Sequence, residues 1–265
     1  MTVNAAPLFA VSGLNVAIGG VTVCRDLELV IHAGQCWAVL GMNGSGKTTL
    51  LHTLAGLRSA AGGEILLDGQ PLTQIGRREM ARRVGVLLQD LPQGFPATVI
   101  ESALTGRHPH LSPWQWEGAA DRELARAALA AVDLGGFERR QVGTLSGGEW
   151  RRLGLATLLV QNPALALLDE PVNHLDLHHQ HRVLALLRNR AASPGHGAAM
   201  VLHDVNLARR YCDHALLLFG KGETRAGPID EVFDARTLTR LYRHPVNALD
   251  GPHGPLYIPG DPEEI

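Results

Sequence analysis

The feature that most constrains this sequence is the stretch from Gly41 to Thr48, which reads Gly-Met-Asn-Gly-Ser-Gly-Lys-Thr. It matches the phosphate-binding pattern G-x-x-x-x-G-K-[ST] at every fixed position. The chain has two lysines, Lys47 and Lys221, and one of them occupies the position that the pattern requires. Glycines at 41, 44 and 46 permit backbone angles and close approaches that a Cβ atom would block. The consecutive N–H groups of such a loop can converge on phosphate oxygens.

The residues on either side of this loop supply the structural context that the pattern needs. Apolar residues Cys36 to Leu40 predict a buried strand leading in, and Thr48 to Gly56 predicts a helix leading out. The start of a helix adds partial positive charge at the same point. Lys47 can reach the β and γ phosphates of a nucleotide, and the Thr48 hydroxyl can ligate Mg²⁺. The candidate nucleotide-binding residues of this segment are Gly41, Asn43, Gly44, Ser45, Gly46, Lys47, Thr48 and Thr49.

The rest of the chain alternates apolar strand-like runs with helical patterns, which predicts an α/β fold with a mainly parallel sheet. Glycine turns at Gly13, Gly19-Gly20 and Gly34 divide residues 8–40 into short strands. We interpret residues 1–265 as a single domain. Its core spans 1–91 and 141–244, with a helical subdomain at 92–140 and an appendage at 245–265 that is rich in Pro and Gly.

Composition excludes several classes of function. The formal net charge is −2, so no basic field favours nucleic acid as a partner. The 3 cysteines are widely spaced and fit neither a disulfide framework nor a metal knuckle, which indicates a reducing compartment. No apolar run approaches about 18 residues, and the basic start of a signal peptide is absent. We therefore expect a cytoplasmic chain that would need a partner for any role at a membrane.

Two acidic residues follow the apolar run Leu165 to Leu168. Ligands of open α/β sheets lie beyond the carboxyl ends of strands, so Asp169 and Glu170 can share a site with the loop at 41–48. Asp169 would hold Mg²⁺, and Glu170 could orient and deprotonate a water that attacks the γ phosphate. His203, after the apolar run 198–202, could hydrogen-bond that phosphate. Taken singly, these residues also fit a solvated acidic turn and a structural histidine.

A second candidate anion site lies about 100 residues after the first. Ser146 is a good N-cap, and Gly147 and Gly148 expose the first N–H groups of a helix. One nucleotide does not need two complete phosphate cradles, but two copies of the chain arranged head to tail would bring this turn to the partner's γ phosphate. The alternative is an ordinary capped helix start.

With these motifs, the chain resembles the nucleotide-binding subunits of ATP-binding cassette (ABC) transporters over nearly its whole length. The resemblance implies a P-loop NTPase core with an N-terminal antiparallel β subdomain and an inserted helical subdomain. It also implies an ATPase that works as a homodimer, docked on a polytopic membrane permease at the cytoplasmic face of the plasma membrane. The matching segments are Gly41–Thr48 (Walker A), Leu167–Glu170 (Walker B), Leu145–Glu149 (signature), Gln89 (Q-loop), Asn173–Asp176 (D-loop) and His203 (switch histidine).

The resemblance assigns further roles. Gln89 would contribute to both the metal site and catalysis, beside Glu170 and His203. Segments 98–101, 106–110, 173–176 and 203–207 are similar to importers of iron–siderophore, haem and cobalamin, which work with a separate periplasmic substrate-binding protein. Residues 145–151 are similar to the cobalamin branch. The competing class is a soluble ABC ATPase that acts as a clamp in translation or repair, but such relatives usually carry two cassettes or a long coiled-coil insertion.

One position departs from the family pattern. The family places an aromatic residue near the N-terminus to stack on adenine, and the corresponding position by spacing is Ile18. Isoleucine covers a base without offering a π face, so we expect weaker or less base-selective nucleotide binding. Trp114 and Trp116, in the helical segment, could either pack inside it or meet a partner.

Overall fold

The computed structural model describes residues 6–89, 96–251 and 254–261. Its strands, numbered along the chain, are β1 (Phe9–Ile18), β2 (Val21–Ile31), β3 (Cys36–Gly41), β4 (Gly62–Leu67), β5 (Gln70–Pro71), β6 (Val84–Leu87), β7 (Leu165–Leu168), β8 (Gly197–Val201), β9 (His214–Gly220), β10 (Glu223–Pro228), β11 (Val246–Leu249) and β12 (Leu256–Pro259). Its α-helices are α1 (Lys47–Leu54), α2 (Arg77–Arg83), α3 (Val99–Leu104), α4 (Ala119–Ala131), α5 (Gly147–Gln161), α6 (Leu177–Ala191), α7 (Val205–Tyr211), α8 (Ile229–Val232) and α9 (Ala235–Tyr242).

The central sheet has the strand order β10-β9-β3-β8-β7-β6, and every pair in it is parallel except β9 with β10. Its inner strands are buried on both faces because alternate side chains enter two different cores. In β3, Cys36, Ala38 and Leu40 join the core on one face, and Trp37 and Val39 join the core on the other. The predicted α/β fold is confirmed.

A second sheet, antiparallel and ordered β2-β1-β4-β5, shares a core with one face of the central sheet and with α1. Leu50, Leu51 and Leu54 of α1 are almost completely buried in it. The predicted turn at Gly13 is wrong. Gly13 lies inside β1, where the register with β2 shifts between Val11 and Leu14, and its φ of +54° marks a β-bulge. In a bulge of this type one residue takes a left-handed conformation, which glycine adopts without strain.

Helices α3 and α4 form the segment between the Q-loop position and the signature motif. Both helices lie in the segment predicted to be helical, and Thr98 and Glu101 make a capping box at the start of α3. Both helices pack against α5 in one buried cluster that includes Leu129 and Leu153. Because α5 continues this packing, the subdomain limits of 92–140 stay a prediction, and residues 92–95 lie outside the described residues.

The surface between α3 and α4 carries two tryptophans with no packing role. Trp114 is 94% exposed and Trp116 is 87% exposed. Packing inside the helical segment is therefore excluded for both side chains.

The C-terminal tail forms the hairpin β11–β12, which is fastened beside α7. The Asn206 side chain pairs with the backbone of Tyr257 through two hydrogen bonds of 2.9 Å, and the Tyr257 hydroxyl donates to the carbonyl of Phe233. These contacts hold the tail against the helix that follows His203.

The order of the central strands determines where the site forms. The neighbouring parallel strands β3, β8, β7 and β6 all end at the same edge of the sheet. The loop at 41–48 follows β3, His203 follows β8, Asp169 and Glu170 follow β7, and Gln89 follows β6. Four segments that are far apart in sequence thus meet at one edge.

Candidate nucleotide-binding and catalytic site

The loop between β3 and α1 uses its glycines for two different purposes. A Cβ atom at Gly41 would lie 2.7 Å from the Ser45 Oγ and 2.8 Å from the carbonyl oxygen of Leu218, so this glycine permits close packing. Gly44 and Gly46 instead have φ values of +78° and +94°, in the left-handed region that side chains disfavour. At Gly46 a Cβ would also lie 2.6 Å from the Val23 side chain. The loop shape therefore requires all three glycines.

The start of α1 is arranged to receive an anion. In the part of the chain that the structure describes, no side chain caps this helix, and its first turn contains no acidic residue. The N–H groups of Lys47, Thr48 and Thr49 belong to the first helical turn, which has no intrahelical acceptors. The neighbouring Asn43 is exposed and Ser45 half-buried. Phosphate oxygens are the natural partners for these N–H groups.

Lys47 lies over the same loop. Its side chain is 6% exposed, and Nζ donates to the carbonyl oxygens of Gly41 and Met42 at 2.9 and 3.0 Å. Burial lowers the pKa of Lys47, and the nearby carboxylates of Glu170 and Asp169 raise it part of the way back. The ammonium group is thus held against the loop, where an arriving phosphate would replace its carbonyl acceptors.

Asp169 is completely buried at the end of β7. Its backbone N–H donates to Leu87 across the β6–β7 pair at 2.8 Å, yet neither carboxylate oxygen has a hydrogen-bond partner among the described residues. Burial raises the pKa of Asp169, and the nearby charge of Glu170 raises it further. The Thr48 hydroxyl lowers this pKa, although it makes no hydrogen bond of normal geometry to the carboxylate. An unpaired buried carboxylate is costly unless a cation accompanies it. This arrangement fits a cation ligand.

Glu170 is held by three side chains. His203 Nε2 lies 2.7 Å from its Oε1, while Asn173 Nδ2 and Gln89 Nε2 donate to its Oε2 at 2.8 and 3.3 Å. The Glu170 side chain is 11% exposed, and the backbone φ of Glu170 is +50°, which is strained for a residue other than glycine. Of the three residues predicted to be catalytic, Gln89 and His203 therefore both contact Glu170 directly.

The turn at Ser146 is built as a separate helix start. The Ser146 hydroxyl accepts from the Glu149 N–H at 3.3 Å, and the Glu149 carboxylate accepts from the Ser146 N–H at 2.7 Å. Ser146 and Gly147 are exposed, whereas Gly148 lies against the carbonyl oxygen of His174. Within residues 6–89, 96–251 and 254–261, no hydrogen bond joins this turn to the loop at 41–48.

Ile18 ends β1 at the tip of the β1–β2 hairpin. It is 39% exposed, and Val21 on the other side of the same tip is 57% exposed. The tip therefore offers aliphatic rather than aromatic surface.

Two residues of this region carry contacts to which the sequence assigned no role. Asn173 holds Glu170, as described above, and Arg151 of α5 donates to backbone carbonyls at the ends of β6 and β7. Arg151 is 6% exposed and shares a helix face with Leu155 and Leu158. The spacing of these three residues indicates that the arginine is buried and hydrogen-bonded, but it does not reveal the partners.

Comparison with known proteins bears directly on this geometry. The sequence profile of the family described as ABC transporter matches residues 24–173, which contain the loop, the turn at 146–148 and the Asp169–Glu170 pair. The chain belongs to the ABC transporter family. It is an ATP-binding subunit of this family and, like other such subunits, an ATPase.

Curated relatives and a solved structure agree with this membership. The hemin import ATP-binding protein HmuV of Nocardia farcinica is 41% identical, over 87% of this chain and 79% of the relative. The ferric enterobactin transport ATP-binding protein FepC of Escherichia coli is 36% identical, over 93% of this chain and 92% of the relative. An inward-facing metal-chelate type ABC transporter structure superposes with a TM-score of 0.83 at 25% identity, over 98% of this chain and 100% of that one.

The ABC ATPase carries no membrane span in its described portion. No helix there combines the length and the hydropathy that crossing a bilayer requires.

Proposed function

We propose that this ABC ATPase powers the import of haem, iron–siderophore or cobalamin by closing and opening as a dimer beneath a membrane permease. The observation that carries the proposal is the meeting of Lys47, Asp169, Glu170, His203 and Gln89 at one edge of the sheet. The names of the curated relatives, hemin import and ferric enterobactin transport proteins, support the cargo class.

In the proposed mechanism, the loop at 41–48 and the start of α1 bind the phosphates of ATP through backbone N–H groups. Lys47 exchanges its carbonyl acceptors for phosphate oxygens and neutralises part of their charge. Glu170 orients and deprotonates the attacking water, and His203 hydrogen-bonds the γ phosphate. In the present structure His203 is bonded to Glu170, so this contact must rearrange before the ring can serve the phosphate.

The donor set fits Mg²⁺, which prefers oxygen ligands and keeps several waters and substrate phosphates in its coordination sphere. Among the described residues, no group of three or more His, Cys, Asp or Glu side chains could hold a metal by itself. Asp169, with two unpaired and buried oxygens, the Thr48 hydroxyl and Gln89 would hold the ion together with ATP. When bound, Mg²⁺ would neutralise charge that develops on the phosphates.

The separation of the two candidate anion sites supports a dimer. Ser146 and Gly147 are exposed, and the N–H groups of Gly147 and Gly148 lie in the first turn of α5, where they have no intrahelical acceptors. We assign this turn to the γ phosphate bound by the partner copy, so that two ATP molecules join two chains. ATP then stabilises the closed dimer because it binds both surfaces, and hydrolysis removes that bridge.

The proposed location is the cytoplasmic face of the plasma membrane, where Gln89 and the α3–α4 segment would contact the permease. A periplasmic substrate-binding protein would deliver the cargo without touching this chain. The competing role, an ATP-driven clamp in translation or repair, requires a nucleic-acid or ribosomal partner instead.

The test of the mechanism is Glu170→Gln. This variant should bind ATP with wild-type affinity, accumulate ATP-bound dimers in size-exclusion chromatography with light scattering, and lose nearly all turnover. Glu231→Gln, at an exposed position on α8, is the matched control and should behave as wild type. Turnover near the wild-type rate in the Glu170 variant would contradict the assignment of Glu170 as the base.

A second experiment distinguishes the transporter from the clamp. The full chain is purified from membranes solubilised in mild detergent, and its partners are identified by mass spectrometry. A polytopic membrane protein among them supports the importer. Ribosomes or DNA would reverse the proposal. Reconstitution with that permease in vesicles, with haem, a ferric siderophore and cobalamin in turn, then identifies the cargo.

A further inference from the structure

Arg151 links two segments of the site that no other described side chain joins in the same way. One terminal nitrogen, Nη1, donates to the carbonyl oxygens of Leu88 and Gln89, the latter at 3.1 Å. The other, Nη2, donates to the carbonyl oxygens of Asp169 and Glu170, the latter at 2.8 Å. Each terminal nitrogen of the guanidinium therefore donates to one of the two segments.

This arrangement suits the chemistry of arginine. The ends of β6 and β7 are neighbours in the sheet, about 5 Å apart, so the two terminal nitrogens of one planar guanidinium can donate to both. The side chain is 6% exposed, so its charge has lost most of its water and needs these carbonyl acceptors. A lysine would place a single nitrogen between the two loops and could not reach both equally.

The contact to Glu170 bears on its unusual backbone. Glu170 has a φ of +50°, a conformation that persists only where surrounding contacts hold it. Its carbonyl oxygen accepts from Arg151 Nη2 and from the Asn173 N–H, the latter at 3.1 Å. The direction of the Glu170 side chain toward His203 depends on this backbone geometry, so Arg151 acts on the carboxylate through the main chain.

Arg151 also lies close to the turn that contacts the partner copy in the proposed dimer. It follows Gly148 by three residues on the same helix, a rise of about 4.5 Å. Since a helix moves as a rigid unit over this distance, a displacement of the turn at 146–148 displaces the base of the Arg151 side chain. The guanidinium would pass that displacement to Gln89 and Glu170 of its own chain.

We propose that Arg151 is a positioning residue that sets Gln89 and Glu170 according to the position of the signature turn, and so couples the two ATP sites of the dimer. In a head-to-tail dimer, the signature turn of one chain serves the ATP bound by the other chain. Arg151 connects that turn to the base that acts on its own chain's ATP. The coupling between sites rests on the proposed function, whereas the positioning of Glu170 rests on the contacts within one chain.

Arg152 provides a matched control on the same helix. It is the next residue along the chain, and its Nη1 also donates to two backbone carbonyls, those of Val132 and Asp133 at 2.9 and 3.0 Å. These carbonyls belong to the end of α4 and not to the site. Arg151→Gln and Arg152→Gln thus remove the same kind of contact from two different places.

The experiment measures ATP hydrolysis against ATP concentration, ATP affinity and melting temperature for the full chain and its variants. Arg151→Gln should lower kcat about 10- to 100-fold, as expected when a catalytic group is displaced by about 1 Å, with ATP affinity changed less than about threefold. Its Hill coefficient should fall toward 1 from a wild-type value between 1 and 2. Arg151→Lys should recover part of kcat. Arg152→Gln should lower the melting temperature and leave kcat and the Hill coefficient unchanged.

The outcomes separate the alternatives. A wild-type kcat and Hill coefficient in Arg151→Gln would overturn the proposal. So would a loss of ATP binding in Arg151→Gln together with a fall in melting temperature as large as that of Arg152→Gln, because both would indicate a general loss of structure. Should Arg151→Gln not fold, Arg151→Lys decides by the same criteria. A wild-type protein that neither dimerises with ATP nor shows cooperativity refutes the two-site scheme, while the kcat effect still tests the hold of Arg151 on Glu170.

Discussion

Replacing Gly148 with alanine tests whether this glycine is required for folding or for the proposed ATP-bound dimer. Gly148 is the second residue of α5, and its φ lies outside the left-handed region. A Cβ atom built there would lie 3.4 Å from the carbonyl oxygen of His174 and 3.5 Å from the Leu175 Cδ2, at the limit of ordinary van der Waals contact. The isolated chain therefore has room for the methyl group.

The expected effect on stability follows from helix propensity. Alanine is favoured over glycine by about 1 kcal/mol in a helix interior and by less in the first turn, so we expect a change in the free energy of unfolding of about 0–1 kcal/mol in favour of Gly148→Ala. For a chain of this size, 1 kcal/mol raises the melting temperature by about 2–4 °C. If Gly148 were required for folding, Gly148→Ala would instead lower the free energy of unfolding.

The expected effect on activity has the opposite direction. In the proposed dimer, the added methyl group would lie beside the N–H groups of the turn that bind the partner's γ phosphate. Loss of one such hydrogen-bond donor to a developing anion costs about 100- to 1000-fold in kcat, and we expect a decrease of that order. ATP binding to the single chain should stay unchanged, because the loop at 41–48 is untouched.

Two assays check this prediction. Steady-state hydrolysis is measured for Gly148→Ala alone, and ATP-driven dimerisation is measured by light scattering in the Glu170→Gln background. Gly135→Ala is the control, since a Cβ atom built on this exposed glycine of the α4–α5 connection would lie no closer than 3.8 Å to a non-neighbouring atom, Ala130 Cα. Wild-type hydrolysis by Gly148→Ala, or a melting temperature that falls together with activity, would refute the reasoning.

Two further substitutions test other parts of the molecule. Ile18→Tyr should tighten ATP binding by about 0.5–1.5 kcal/mol through stacking on adenine, and an unchanged Kd in a titration would remove the idea. Asp121→Asn should destabilise the chain by about 1 kcal/mol at pH 7, because the carboxylate accepts from the Gly118 N–H and the Arg107 Nε at 2.9 and 2.7 Å. These contacts lower the pKa of Asp121, and the hydrogen bond from the Gly118 N–H contributes most. The stabilisation by the carboxylate is therefore complete above the unfolded-state pKa of about 3.9, and it is lost as the pH falls through the lower pKa of the folded state. Urea unfolding at pH 7 and near pH 3 should show the difference from wild type shrinking, and a difference that grows at low pH would contradict this sign.

The elements that the sequence predicts best are those specified by a local pattern. Strand β7 has the bounds expected from sequence, Leu165–Leu168, and helix α5 begins at Gly147, directly after the predicted cap Ser146. In each case a short-range signal suffices, namely a bounded apolar run for β7 and a serine cap before paired glycines for α5. The gathering of Glu170, Gln89 and His203 was also predictable, because parallel strands that carry polar residues at their carboxyl ends must present them at one edge.

The features that escaped prediction depend on contacts between distant segments. The bulge at Gly13 exists only relative to the register of β2, so Gly13 alone suggested a turn. The hold of Asn173 on Glu170 and the four carbonyl contacts of Arg151 involve side-chain directions that no spacing encodes.

The placement of the tryptophans gives the molecule an intrinsic optical reporter. Of the 4 tryptophans, Trp37 is buried against His214 with ring centroids 4.7 Å apart and Trp150 is partly buried, while Trp114 and Trp116 stand in water. Soluble quenchers such as acrylamide will reach the second pair far more readily than the first. Any protein that covers the α3–α4 surface will shield that emission and shift it to shorter wavelength, so assembly can be followed in real time without a dye.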